Sequence, residues 1–250
     1  MLKKIIFSVL FISGVTSSNL HSETLNLSTV AHSTSTEVVS AQTFIHNICK
    51  ENFPSLQPEA FIYALSGYYK LRETGKIEQK RYLTIVDFSK PSDMERFFVI
   101  DLQNMKIAFK TLVAHGKNSG EVYAENFSNE PESFKSSLGF YLTGETYIGK
   151  NGLSLKLDGL EDGYNSNARE RGVVIHAAEY VSSDYILSNG RLGRSQGCPA
   201  LPAACNDKIV HTIKGGSVLF IYNPNYSYLK HSKYLKIDDY DCLADLLSQK

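Results

Sequence analysis

Two residues of this 250-residue chain have the types needed for thiol chemistry. Cys198 stands in the run Gly190-Arg191-Leu192-Gly193-Arg194-Ser195-Gln196-Gly197-Cys198-Pro199-Ala200-Leu201, and His176 lies 22 residues upstream, closing the run Gly172-Val173-Val174-Ile175. A cysteine nucleophile needs a base, which usually comes from elsewhere in the chain. The β-branched run before His176 reads as a buried strand that would hold an imidazole rigidly. Gly197 sits among Gly, Ser and Arg residues and reads as a turn. Such a turn exposes the thiol and aims the backbone N–H groups of Gly197 and Cys198 at one point, where an oxyanion would be held. Arg191 and Arg194 bring positive charge that favours thiolate. A plainer reading stands beside this one, since a cysteine is most often a small buried hydrophobe and a histidine a satisfied polar residue.

The elements that must position this pair follow from periodicity. Tyr82–Phe88, Arg96–Leu102 and Lys106–Val113 read as three strands, with Pro91 and Asp93 in one turn and Gln103-Asn104 in the next. Their close spacing implies an antiparallel meander. Strands resume near 137–148, 153–157 and 172–177, the last carrying His176. Residues 202–214 read as a helix stopped by Gly215-Gly216, and 217–222 as the last strand. Upstream, 42–50 and 58–74 read as helices, the second with Pro58 in its first turn and Gly75 just past its end. Gly67 within it speaks against a helix interior. Tyr (15) and Phe (13) are plentiful, which with the β-branched runs favours a β-rich fold. The 26 basic and 26 acidic residues cancel, so there is no basic footprint of a nucleic-acid partner.

The motif around the cysteine resembles the L,D-transpeptidase catalytic-domain family (YkuD-like), bacterial enzymes that remodel peptidoglycan. Its signature, a His and then Ser/Thr-x-Gly-Cys, stands here as His176 and Ser195-Gln196-Gly197-Cys198. Pro199-Ala200 is similar to the murein L,D-transpeptidase subgroup. Ser136-Ser137-Leu138-Gly139-Phe140-Tyr141 is similar to the family's groove strand, and Val113-Ala114-His115-Gly116 is a third matching stretch. The resemblance covers about residues 80–222. It implies a mainly β fold with flanking helices, a β-sandwich or barrel-like catalytic domain. It implies acyl transfer through a Cys198 thioester with His176 as base, on a peptidoglycan stem tetrapeptide. A second stem as acceptor gives a 3→3 cross-link, and water gives L,D-carboxypeptidase activity. The third member, which orients the imidazole, is often a backbone carbonyl in the family. No metal or organic cofactor is implied. By resemblance Ser137, Gly139 and Tyr141 line the groove, with Ser195 and His115 beside the substrate. Most of the family has Arg two positions after the Cys, where this chain has Ala200. Arg194 or Arg191 is expected to take over its work, with Arg171 a weaker candidate.

Lys3-Lys4, a short apolar run Ile5–Ile12 and small residues after it form the pattern of a secretory signal. Residues 1–22 are therefore expected to be cleaved, 23–41 to form a Ser/Thr-rich leader, 42–79 a helical addition, 80–222 the catalytic domain and 223–250 a tail with a short helix near 240–248. This makes the protein an exported one, periplasmic or wall-associated, with peptidoglycan stem peptides as partners and no stable membrane span. Export permits disulfides, and Cys49–Cys242 is the pairing expected. Cys198, Cys205 and His211 offer a rival zinc reading, weakened by the lack of a Cys-x-x-Cys or His-x-x-x-His pair. A non-catalytic wall-binding module is the other rival.

Overall fold

The computed structural model describes residues 41–236 together with 243, 244 and 247. The expected signal, nearly all of the leader, Cys242 and most of the helix expected at 240–248 lie outside the described residues. Helix α1 covers 41–52 and α2 Pro58–Glu73. Then come β1 Tyr82–Asp87, β2 Phe97–Asp101, β3 Lys106–Thr111, β4 Gly139–Gly149, β5 Gly152–Gly159 and β6 Val174–Ala177. Helix α3 Ser183–Asn189, β7 Ala200–Leu201, α4 Ala203–Ile213, β8 Val218–Tyr222 and α5 Tyr226–His231 complete the fold.

The strands form one mixed sheet in the order β3-β2-β1-β8-β4-β5-β6-β7. The expected meander is present, with β1 and β3 both antiparallel to β2. Strand β8 sits between β1, which it pairs in parallel, and β4, which it pairs antiparallel. All five residues of β2 and of β8 are buried, as unbroken apolar runs in a sheet covered on both faces should be. The sheet nearly closes on itself. After β3 the chain turns back to β7, where Ala114 bridges Ala200 and Gly116 bridges Ser195. The result is mainly β, a barrel-like sheet with a few helices packed around it.

The two N-terminal helices share the core of this sheet. Ile45 and Phe53 lie in one cluster with Phe61 and Leu65 of α2 and with Phe140 and Phe220 of β4 and β8. The Phe140 ring stacks on Phe220 with centroids 4.2 Å apart. Its other side presses on α2 at Gly67, where an added Cβ would lie 2.0 Å from the Phe140 ζ carbon. That contact explains a glycine inside a helix. The helix gives up roughly 1 kcal/mol of propensity there, and burial of the ring contributes roughly 2–3 kcal/mol.

For the site, the decisive pairings are at the far end of the sheet. Strand β6 pairs antiparallel with β5 through Leu155↔Ile175 and parallel with the two-residue β7 through His176↔Ala200. The second pairing brings His176 alongside the residue two positions after Cys198.

Candidate active site

The segment before Cys198 is fixed by its own side chains. Ser195 Oγ accepts from the Gly197 N–H at 3.0 Å and donates to the Cys198 carbonyl at 2.6 Å. Ser195 also donates its N–H to His115 O, and its carbonyl accepts from the Lys117 N–H at 2.8 Å. On the other side Ser136 Oγ donates to Gly197 O at 3.2 Å. Gly197 has φ 126°, and a Cβ there would meet Lys135 O at 2.9 Å, so only glycine fits. The tight turn read from the sequence is therefore present, with one correction. The Gly197 N–H is taken by Ser195 Oγ and is not free for an oxyanion. Ser195 is buried and its hydroxyl is spent inside the loop, although the residue also lines the cavity described next.

Cys198 and His176 line one open cavity of about 760 Å³, together with Asn151, Lys150 and Tyr180. The Cys198 Sγ lies 3.5 Å from the Val174 N–H and 3.6 Å from Gly172 O. Burial pushes the thiol up, while the Val174 N–H and the Arg171 guanidinium act against that. The His176 Nδ1 lies 2.8 Å from Ala177 O. A carbonyl can only accept, so Nδ1 carries the hydrogen and Nε2 keeps the lone pair that a base needs. Burial pushes His176 below the ordinary imidazole range, against the Ala177 hydrogen bond, and Lys150 pushes the same way. Burial thus disfavours the charged form of both groups, the thiolate and the imidazolium.

The arginine beside Cys198 is Arg171. It is the cation acting on Cys198, and its Nη2 lies 3.4 Å from where a Gly197 Cβ would be. Its fork donates to Ser128 O at 2.8 Å, Lys135 O at 2.7 Å and Ser137 Oγ. Arg191 and Arg194 are held by other partners. Both pair with Glu121, at 3.0 and 2.5 Å, and Arg194 also donates to Lys117 O and Gly120 O. Arg194 lines the cavity while paired with Glu121, a single carboxylate that it shares with Arg191. Arg191 is not among the cavity's lining residues.

The remaining expected groove residues point inward. Ser137 Oγ donates to Ser128 O at 2.7 Å. Tyr141 is wholly buried and its hydroxyl donates to Ser137 O at 3.0 Å. Gly139, at φ 111°, leaves room for the Glu161 carboxylate, which would lie 2.3 Å from an added Cβ. That buried carboxylate accepts from the Phe140 N–H and the Tyr228 hydroxyl, both at 2.8 Å. Here the strand positions are spent on the core and on bracing Arg171. His115 is wholly buried. Its Nδ1 accepts from Arg96 Nη2 at 2.8 Å and its Nε2–H donates to Gly120 O at 3.1 Å. Burial first, and then Arg96, lowers its pKa to about 4.

Among the described residues no group of three His, Cys, Asp or Glu is placed to hold a metal. Cys205 Sγ instead lies 3.6 Å from Thr111 Oγ1. Cys49, expected to bridge to Cys242, is a free and wholly buried thiol whose pKa is pushed up to about 12. Sequence reasoning passed over several cavity residues, Lys150, Asn151 and Tyr180 among them. Lys150 and Asn151 form the tip of the β4–β5 hairpin, and Tyr180, raised to about 12 by burial and by Cys198, packs against Gly193. The one available signal was the Gly149-Lys150-Asn151-Gly152 turn, and nothing in it says what the turn overhangs.

Among curated proteins none matches the chain significantly. Solved structures that it resembles include an L,D-transpeptidase from Mycobacterium smegmatis, at 13% identity over 57% of this chain and 59% of that one with a TM-score of 0.37. The L,D-transpeptidase of Xylanimonas cellulosilytica matches at 9% identity over 74% of this chain and 93% of that one, TM-score 0.34. That of Stackebrandtia nassauensis matches at 13% over 72% and 76%, TM-score 0.35. The aligned region thus spans less than two thirds of the Mycobacterium smegmatis chain. The family profile for the L,D-transpeptidase catalytic domain matches residues 52–222, more than half of the chain and inclusive of α2, His176 and Cys198. On that match, the chain belongs to the L,D-transpeptidase catalytic-domain family.

Proposed function

We propose that this protein is a murein L,D-transpeptidase that works through a Cys198 thioester. The observation that carries the reading is the shared cavity. It holds a half-buried thiol and an imidazole whose Nδ1 is committed to Ala177 O, with Nε2 left as the proton acceptor. In the first step the thiol proton passes to His176 Nε2 as the sulfur bonds to the amide carbon. The amide C–N bond then breaks, and His176 returns the proton to the departing D-Ala amine. In the second step an amine of another stem gives a proton to His176 and bonds to the thioester carbon, and the sulfur leaves and recovers its proton. The Cys198 N–H faces the developing oxyanion, where one such donor contributes about 3–4 kcal/mol. Arg171 favours negative charge on the sulfur during attack.

Family membership supports peptidoglycan as substrate and the cell envelope as the place of action. Export through the N-terminal signal belongs to the same proposal. The test is incubation of the protein with disaccharide-tetrapeptide, the products being read by mass spectrometry. Free D-Ala with 3→3 dimers supports transpeptidation, and D-Ala with tripeptide alone makes it a carboxypeptidase. Binding without turnover, insensitive to iodoacetamide, would make it a wall-binding module and overturn the proposal.

A further inference from the structure

The His176 Nδ1 has two neighbours. Ala177 O lies 2.8 Å away and the Asn151 side-chain amide 3.2 Å away, its Nδ2 facing the ring. One ring nitrogen cannot donate to the first and accept from the second. The carbonyl is a fixed acceptor, so the hydrogen is on Nδ1, and the amide atom facing it must be an acceptor too. Amide N and O are assigned from the hydrogen-bond network, and this network calls for Oδ1. We infer that Asn151 is a positioning residue for the base. Its amide oxygen and Ala177 O form a fork on Nδ1–H, which keeps Nε2 turned toward Cys198 and stabilises the imidazolium formed when the thiol proton arrives. This rests on the reading of His176 as the base for Cys198.

The hairpin suits this task. Gly149 pairs with Gly152, which has φ 78°, so Lys150 and Asn151 stand at the tip. Both are exposed, and Ile148 beside them is 78% exposed. The fold therefore does not need the Asn151 side chain for packing. Because Asn151 lines the cavity, a substrate filling it would shield the amide from water and strengthen the bond. The titratable groups facing His176 across the cavity are Tyr147 and Lys150 of the hairpin, Glu179 and Tyr180 after β6, and Arg194 and Cys198 of the nucleophile segment. Among the described residues the Nδ1 partners are Ala177 and Asn151.

The test compares Asn151→Asp and Asn151→Ala with the wild type. Asp suits the same turn position, so the Asp variant keeps the hairpin while placing a carboxylate at Nδ1. Nitrogen-15 NMR of His176 should show the Nδ1–H tautomer in the wild type and a pKa raised by about 1 unit or more in Asn151→Asp. In Asn151→Ala the tautomer should become mixed, and kcat for D-Ala release should fall about tenfold with KM little changed. An unshifted His176 titration in Asn151→Asp, with a wild-type rate in Asn151→Ala, would overturn the inference. The NMR readout needs no substrate. Shifted titrations in a protein that releases no D-Ala would thus support the fork while refuting the transpeptidase reading.

Discussion

The two histidines that the sequence offered as functional are both buried, both next to an arginine-bearing loop, and chemically opposite. His115 has both ring nitrogens occupied, by Arg96 and by Gly120 O. It is an anchor, holding a buried guanidinium to the loop beside the nucleophile segment. His176 has its Nδ1 held at Ala177 O and stands in the wall of the cavity. On the proposed reading the base is the histidine that keeps a lone pair free, and burial alone does not separate the two residues. The arginines teach the same lesson. Arg191 and Arg194 are near the cysteine in sequence but share the Glu121 carboxylate, whereas Arg171, 27 positions away, is the arginine whose charge acts on the thiol.

The histidine contrast gives the largest expected effect. His176→Asn should lower kcat/KM for D-Ala release by about 10²–10⁴, while His115→Asn should leave the rate per folded molecule close to wild type. Steady-state kinetics on both variants checks this, and the reverse pattern would mean that the roles have been exchanged.

His115 should appear instead in stability. Its native pKa, about 4, lies below the ordinary imidazole value of 6.5, so the unfolded chain takes up a proton first as pH falls. The stability it contributes is complete above pH 6.5 and is lost progressively down to about pH 4, roughly 3 kcal/mol in all. Buried Asp87 and Glu161, whose carboxyls are raised by burial, move the opposite way on acidification. The contrast is therefore the wild type against His115→Gln in urea unfolding at pH 7.5 and 4.5. The acid loss should be smaller in the variant by about that amount.

The arginine contrast is expected to be the smallest. Arg171→Lys keeps a charge but loses the fork to Ser128 O, Lys135 O and Ser137. It should slow alkylation of Cys198 by iodoacetamide about tenfold, whereas Arg194→Lys should change that rate little. Equal effects from the two would remove the special place given to Arg171.

Much of this was legible in the chain. The meander, Pro58 at the start of α2 and the strand ending at His176 follow from periodicity and turn chemistry. Ser195-Gln196-Gly197-Cys198 is a turn because its own serine and glycine make it one. The parallel pairing of β1 with β8 and the two-residue β7 were not legible, since both depend on contacts far apart in sequence. Ser137 and Tyr141 alternate as groove residues would, yet their hydroxyls bond Ser128 O and Ser137 O inside the fold. Periodicity gives a strand its two faces but does not say which of them borders a cavity. Gly67 counted against a helix only because the Phe140 ring that requires it is 73 residues away.

The central claim is that Cys198 carries the acyl group during turnover. Intact-protein mass spectrometry during turnover of disaccharide-tetrapeptide, followed by peptide mapping, tests it directly. The account predicts an adduct with the mass of the substrate less D-Ala, mapped to Cys198 and absent from Cys198→Ala, which should also release no D-Ala. D-Ala release by Cys198→Ala at the wild-type rate, or an adduct mapped to another residue, would contradict it.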